Sequence, residues 1–426
     1  MSTAATPGAS TGSPTDPTQS GKAGELARDH EQSTLGGEVR KWWEGVRAGD
    51  YGSLPIVIGL IIIAIVFRSQ NSNFLTSQNI LNLGIQAAGY MTIAMGVTFV
   101  LLLGEIDLSI GYVSGVGGAI AALLTLPDGA AFAGLPAVVI ALLAGLAIGT
   151  LHGVLFTKVG IPSFVVTLAG LLAWNGAVLL LIGSRGTVVI QSKLITNLAN
   201  GFISEAASWI IVVVAVLAYA GLMLASRAQR AKAGLPLGAT SILAAKVVAL
   251  AFVLALVVWW VNKDRGVPYI FLVLGALFIF WTYVLKRTKF GRHVYAVGGN
   301  AEAARRAGIN VDAIRIACFA IASLMATFGG IVLASRLVSV DTGAGGGQIL
   351  LYSIAAAVIG GTSLFGGRGQ IKAAVLGAIV IASIDNGLGL LNLSSGVKFV
   401  ITGLVLLAAV TIDSLSRRNL ASSGRA

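Results

Sequence analysis

Residues 80–103 read ILNLGIQAAGYMTIAMGVTFVLLL, and none of them is charged. A helix that crosses the hydrocarbon core of a bilayer needs about 20 apolar residues, so this stretch predicts a transmembrane helix. Apolar runs of similar length recur on both sides of it, separated by short polar breaks. They fall near residues 51–68, 108–126, 136–157, 161–182, 207–224, 241–261, 268–285, 314–334, 350–366, 371–391 and 397–413, making about 12 spans with the first. Composition agrees. Of 426 residues, 56% are hydrophobic and 11% charged, with a mean hydropathy of +0.88, whereas a soluble domain carries about 25% charged residues. The expected fold class is all-α, a polytopic membrane helix bundle. The 55 glycines suit close helix–helix contact in lipid. The run Gly111-Tyr112-Val113-Ser114-Gly115 predicts a broken or re-entrant segment, tolerable only where protein or a watery cavity surrounds it.

The net charge of +12 is not read as nucleic-acid binding, because Lys and Arg gather in the cytoplasmic loops of membrane proteins. With the N-terminus inside, the span map puts 17 Lys and Arg of residues 51–426 on the cytoplasmic side and 7 outside. That bias predicts both termini in the cytoplasm, which requires an even number of spans. Residues 1–50 are expected to form a disordered cytoplasmic tail, since their first 35 are rich in Ser, Thr, Gly and Pro. They lack the pattern of a removable signal peptide. Near 40–51, Arg40, Lys41, Trp42, Trp43 and Tyr51 suit a membrane-interface anchor or, alternatively, a solvated linker. Residues 414–426 read as a second cytoplasmic tail. The single cysteine, Cys318, excludes an intrachain disulfide and a cysteine metal cluster.

Acids inside an apolar chain are costly and default to functional candidates. Glu105, Asp107 and Asp385 qualify, with Ser109, Asn175 and Asn386 as polar neighbours. Glu105 and Asp107 are two apart and would not share a helix face, so a turn flanked by Gly104 and Gly111 suits them better. Two readings stay open there: a water-facing turn capped by Asp107 or Ser109, and a contribution to a translocation pathway or gate. Asp385-Asn386 reads either as a break lining a passage or as an interhelical hydrogen-bond pair. Trp174 reads as a packing residue or as a platform for a ligand ring.

The longest basic loop runs from Lys286 to Ile309. It reads as a basic stretch, a Gly298-Gly299 turn, and a short helix capped by Asn300 with Glu302 in its first turn. Ala303, Ala304 and Ala307 give that helix a small face, and Gly308 is a natural stop. Such a helix fits a cleft on another protein; the plainer reading is an ordinary basic loop. Catalysis by this chain is not expected. It has no Gly-x-x-x-x-Gly-Lys-[Ser/Thr] phosphate loop, its histidines (His30, His152 and His293) are scattered, and no Gly-x-Ser-x-Gly elbow stands out. His152 reads as a packed or hydrogen-bonded helix residue.

Glu302-Ala303-Ala304, followed by Gly308, resembles the EAA…G coupling loop of bacterial ABC importer permeases. Gly291 to Asn300, Gly104-Glu105-Ile106-Asp107-Leu108-Ser109-Ile110-Gly111, and Ala357 to Gly369 are similar to signatures of the ribose/xylose/galactose permeases. Glu105 and the stretch Leu168 to Gly176 point to the xylose-type branch. The resemblance covers about residues 54–413. It implies a core of about ten spans plus an extra hairpin at about 207–261, within a permease domain of 51–413. It also implies a cytoplasmic coupling loop at about 286–313, in which Gly298, Gly299, Asn300, Glu302, Ala303, Ala304, Arg305 and Gly308 dock a partner ATPase. That partner would bind ATP and Mg; the chain itself would hold no cofactor or metal. Further implied partners are a periplasmic or lipid-anchored sugar-binding protein, a second permease copy in a homodimer, and membrane lipid. The implied location is the bacterial plasma (inner) membrane, and the implied passenger xylose or a related aldose. A proton-coupled secondary transporter is the alternative, with Glu105, Asp107 or Asp385 as carriers; a coupling loop argues against it. Gly104-xxx-Leu108-xx-Gly111 and Gly360-xxx-Leu364-xx-Gly367 share spacing, which suggests an internal repeat.

Overall fold

A computed structural model of the chain describes residues 54–235, 237 and 239–422, together with 36, 37, 40, 43 and 44. The expected disordered tail over 1–35 and most of the anchor near 40–51 lie outside the described residues. The helices are α1 (Leu54–Gln70), α2 (Ser77–Leu102), α3 (Ile110–Leu124), α4 (Gly134–Val154), α5 (Ser163–Ile182) and α6 (Lys193–Asn200). After them come α7 (Glu205–Lys232), α8 (Thr240–Val261), α9 (Tyr269–Arg287), α10 (Lys289–Gly299), α11 (Ala301–Arg306), α12 (Val311–Leu337), α13 (Gln348–Ile359), α14 (Ile371–Leu390) and α15 (Ser395–Ser422). Four short strands, β1 (Thr187–Val189), β2 (Phe202–Ile203), β3 (Val267–Pro268) and β4 (Ser339–Asp341), pair antiparallel as β1–β4 and β2–β3. The chain is a helical, multi-pass membrane protein. Eight helices (α2, α4, α5, α7, α8, α9, α12 and α14) are long and apolar enough to cross a membrane. Shorter apolar helices are α1, α3, α13 and the first part of α15.

Two expectations are corrected. The Gly111–Gly115 run does not break its helix: α3 is continuous through it, although its 15 residues fall short of a full span. Its glycines serve contact: a Cβ on Gly111 would stand 2.6 Å from the Gly345 carbonyl oxygen, and one on Gly115 would overlap the Ala344 carbonyl. The helix expected over 350–366 stops at Ile359, where Gly361 adopts φ +102° and the chain leaves the helix for a loop up to Gln370.

Contacts divide the described chain into a larger unit, up to residue 210 and from 256 onward, and a smaller one that holds residues 211–255. In the larger unit α2 is the central helix, with 89% of its apolar window buried. It packs on α12, α13 and α14, and α12 packs in turn on α3 and α4. Helices in lipid gain little from hydrophobicity alone, so close backbone approach has to supply the packing. Gly145, Gly149 and Gly153 form that device on α4, four residues apart and facing Thr327, Phe319 and Ile316 of α12. In the smaller unit the α7 and α8 arms are linked by Arg227, whose Nη2 donates to Thr240 Oγ1 at 3.0 Å. Leu217, Leu222, Val248 and Phe252 there are exposed, as lipid-facing apolar residues are.

Candidate functional site

Three glycine-bearing stretches far apart in the chain meet at one point. α2 ends at Leu102, and its carbonyl oxygen accepts from the Gly367 N–H at 2.9 Å. Gly298, in the last turn of α10, lies so close to that same carbonyl that a Cβ would overlap it. Gly366, at φ +83°, is wedged between them; a Cβ there would stand 2.7 Å from Gly298 O and 2.9 Å from Gly104 N. Tyr295 Oη donates to Gly369 O at 2.7 Å, fixing α10 to the start of α14. The two stretches of shared spacing thus touch each other, with the Gly298-Gly299 segment against both. The expected Gly298-Gly299 turn is corrected: both residues are helical, and the turn comes at Asn300, whose φ is −160°. Asn300 Oδ1 accepts from Ala303 N at 2.9 Å and so caps α11. Glu302 pairs with Arg305 (3.0 Å) and Arg306 (3.2 Å) on the exposed side, while Ala304 is buried. Gly308, at φ +82°, ends the motif, and Ile309 N donates back to Ala304 O at 3.0 Å.

The acidic segment between α2 and α3 is non-helical, as the spacing of Glu105 and Asp107 requires. Its Gly104 and Ile106 are exposed, but neither candidate side chain caps α3, which corrects the expected capped turn. Asp107 and Ser109 are buried, and Ser109 makes no capping bond. Instead Asp107 Oδ1 accepts from Ser109 N at 2.9 Å and from Ser109 Oγ at 2.6 Å. Burial pushes the Asp107 carboxyl above the usual carboxylate range. Ser109 Oγ stands 3.3 Å from His152 Nδ1, and Trp174 Nε1 donates to His152 Nε2 at 3.0 Å. An indole is a donor only, so Nε2 carries the lone pair and Nδ1 the proton that points to Ser109. The order is Asp–Ser–His, with the carboxylate on the serine. A hydrolytic triad needs the histidine between the two, so this chain of bonds orients helices α4 and α5 on the acidic segment and activates no nucleophile. Trp174→Phe removes the one donor to His152 Nε2. The expected loss is about 1 kcal/mol of stability, read as a lower unfolding temperature of the detergent-purified protein; no change would remove this link.

Glu105 accepts from Ser163 Oγ at 2.6 Å and pairs with Arg315 Nη2 at 3.3 Å; their side chains are 16% and 23% exposed for Glu105 and Arg315. Arg315 also lies over the Phe156 ring, 4.7 Å from its centre. Lys158 and Asp312 form a second bridge of 2.8 Å nearby, mostly exposed. The other candidates lie elsewhere. Asn386 exchanges amide bonds with Asn79 of α2 (2.8 and 3.0 Å), and Asp385 accepts from Gln86 and, at 3.4 Å, from Tyr352 Oη. α14 is unbroken through both residues, so the pair joins helices rather than marking a break. Asn175 is half-buried on α5. Among the described residues no three His, Cys, Asp or Glu side chains are grouped to hold a metal ion. Arg315 was not singled out by sequence reasoning, whereas His152 is the buried, hydrogen-bonded helix residue that its sequence reading expects. Arg315 had a legible signal: a lone cation one turn inside the apolar run of α12.

In this helical membrane bundle, ionic and glycine contacts gather at one end of α2, α10 and α12. The sequence model of the family described as branched-chain amino acid transport system / permease component matches residues 79–410, and the chain belongs to that family. It is 34% identical to the xylose transport system permease protein of Escherichia coli (strain K12), over 85% of this chain and 92% of that one. The xylose transport system permease protein of Haemophilus influenzae is 35% identical, over 86% of this chain and 98% of that one. The ribose import permease protein of E. coli K12 is 31% identical, over 84% and 92%. No solved structure matches the chain.

Proposed function

We propose that this chain is the membrane-spanning permease subunit of an ATP-driven importer in the bacterial plasma membrane that admits a monosaccharide, xylose or a related aldose. What carries the reading is the meeting of three permease signatures at Leu102, Gly298 and Gly366, together with similarity to xylose permeases along most of both chains. The family description names amino acids, but a zwitterion would ask for paired charges along its route. A sugar asks only for hydrogen-bond partners and a watery path. The helices α10 and α11 serve as the coupling segment, with Gly298, Gly299, Asn300, Glu302, Ala303, Ala304, Arg305 and Gly308 forming or shaping its docking face. Phe365, 81% exposed beside it, adds an apolar contact for a partner. The ATPase supplies the ATP and Mg site, an extracellular binding protein captures the sugar, and a second copy of this chain completes a two-fold translocation unit. The eight long and four shorter apolar helices make twelve passages, with both termini in the cytoplasm where the Lys and Arg excess lies. Glu105, Asp107 and Ser109 act as a gate next to the coupling segment.

The test is the ATPase rate of the purified complex with and without sugar-loaded binding protein. Stimulation by loaded binding protein is expected, and Glu302→Lys is expected to reduce it by reversing charge at the positive end of α11 while leaving membrane insertion intact. A protonophore that abolishes uptake while ATP stays high would transfer the function to a proton-coupled carrier.

A further inference from the structure

Where α9 ends, a small cleft of about 60 Å³ opens between α9, α10 and the first turn of α14. One wall is apolar, formed by Phe278, Leu285 and Ile371, and the rim holds Lys286 and Lys372. Both lysines are exposed, and neither is in an ion pair among the described residues. Two like charges beside one cleft repel each other until an anion sits between them. The wall also holds Thr282, whose Oγ1 is fully buried and has no hydrogen-bond partner among the described residues. A buried hydroxyl left unpaired costs free energy, so it asks for a ligand atom. The first turn of α14 adds donors: Gln370 makes no side-chain cap, and the opening N–H groups of a helix have no partner within it. Tyr295 Oη lines the cleft and is already committed to Gly369 O. Burial pushes its phenol upward, so it stays protonated.

We infer that this cleft holds the phosphate of an acidic phospholipid headgroup. A hydroxyl donor, two ammonium groups and a helix N-terminus match a phosphate oxygen set. The apolar wall and the exposed Ile279, Phe280 and Tyr283 on the same helix continue the site along α9 toward the hydrocarbon, where a free phosphate has nothing to gain and acyl chains do. Lys and Arg at the ends of membrane helices sit at headgroup level. The inference rests on α9 spanning the membrane and not on the identity of the transported sugar.

The experiment is native mass spectrometry of the delipidated full-length protein in detergent. It is titrated with phosphatidylglycerol, with phosphatidylcholine of the same acyl chains, and with inorganic phosphate. Phosphatidylglycerol is expected to bind more than tenfold better than phosphatidylcholine, at about fivefold per lysine. Lys286→Ala with Lys372→Ala should bring it to the phosphatidylcholine level, and Thr282→Val should weaken it without changing charge. Arg287→Ala with Lys289→Ala removes equal charge outside the cleft and should leave the preference intact. Equal binding of the two lipids, an equal loss in the Arg287/Lys289 variant, or displacement of the lipid by an equal concentration of inorganic phosphate would each overturn the inference.

Discussion

Gly298→Ala is expected to abolish sugar uptake, and Gly299→Ala, one residue on, is expected to be tolerated. Both glycines are helical at the end of α10, so neither needs a conformation forbidden to alanine. They differ in what surrounds them. A Cβ on Gly298 would overlap the Leu102 carbonyl and come within 2.9 Å of Gly367 N, whereas one on Gly299 meets nothing within 4 Å. The obstacle is backbone, which cannot swing aside as a side chain does. To make room, α10 must move off α2, or Leu102 O must give up the Gly367 N–H it accepts at 2.9 Å. Overpacking of this kind costs about 1–3 kcal/mol or more, and here it falls on the joint between the acidic segment after α2 and the end of α10. Uptake of labelled xylose by cells expressing each variant, with membrane levels checked by immunoblot, measures it. Normal uptake in Gly298→Ala would mean that the joint is not part of the transport cycle.

That contrast also shows where a sequence stops informing. The apolar runs were legible because crossing a bilayer demands about 20 of them in a row, and each expected stretch holds one of the apolar helices. Glycine carries no such signature. As a breaker and as a contact residue it is the same letter, so Gly111–Gly115 predicted an interruption and instead lets α3 touch the turn at Ala344 and Gly345. The reverse error at 360–366 has the same root, since an apolar, glycine-rich loop packed inside protein reads like a helix. Asn300 and Gly308 were legible because caps and stops are local. The partners of Glu105 and Asp107 were not. Arg315, Ser163 and His152 reach them only through tertiary packing, and nothing in their local spacing points across the fold.

Arg315→Met is expected to destabilise the protein by about 3–5 kcal/mol, because it strands Glu105 in a largely closed site with one partner gone. Glu105→Gln strands Arg315 in the same way, and Arg315 already has its Nε buried with no hydrogen-bond partner among the described residues. Removing both charges together, Glu105→Gln with Arg315→Gln, should recover most of the loss, since a buried pair replaced whole is close to neutral. Lys158→Ala is the control. The Lys158–Asp312 bridge is shorter, at 2.8 Å against 3.3 Å, but its side chains are 59% and 32% exposed, and exposed pairs contribute about 0–1 kcal/mol. Thermal unfolding of the four purified variants separates these cases. Uptake assays on Glu105→Gln, and on Asp107→Asn beside that set, give the functional half: both should slow uptake without changing which sugar is accepted, and without making uptake depend on the proton gradient. On the proposed function the acidic segment would act on every passenger alike, with selection left to the binding protein outside. If Glu105→Gln shifted the preference between xylose and ribose, the acidic segment would be reading the sugar. If the single variants were as stable as the parent, the pair would not be holding the acidic segment to α12.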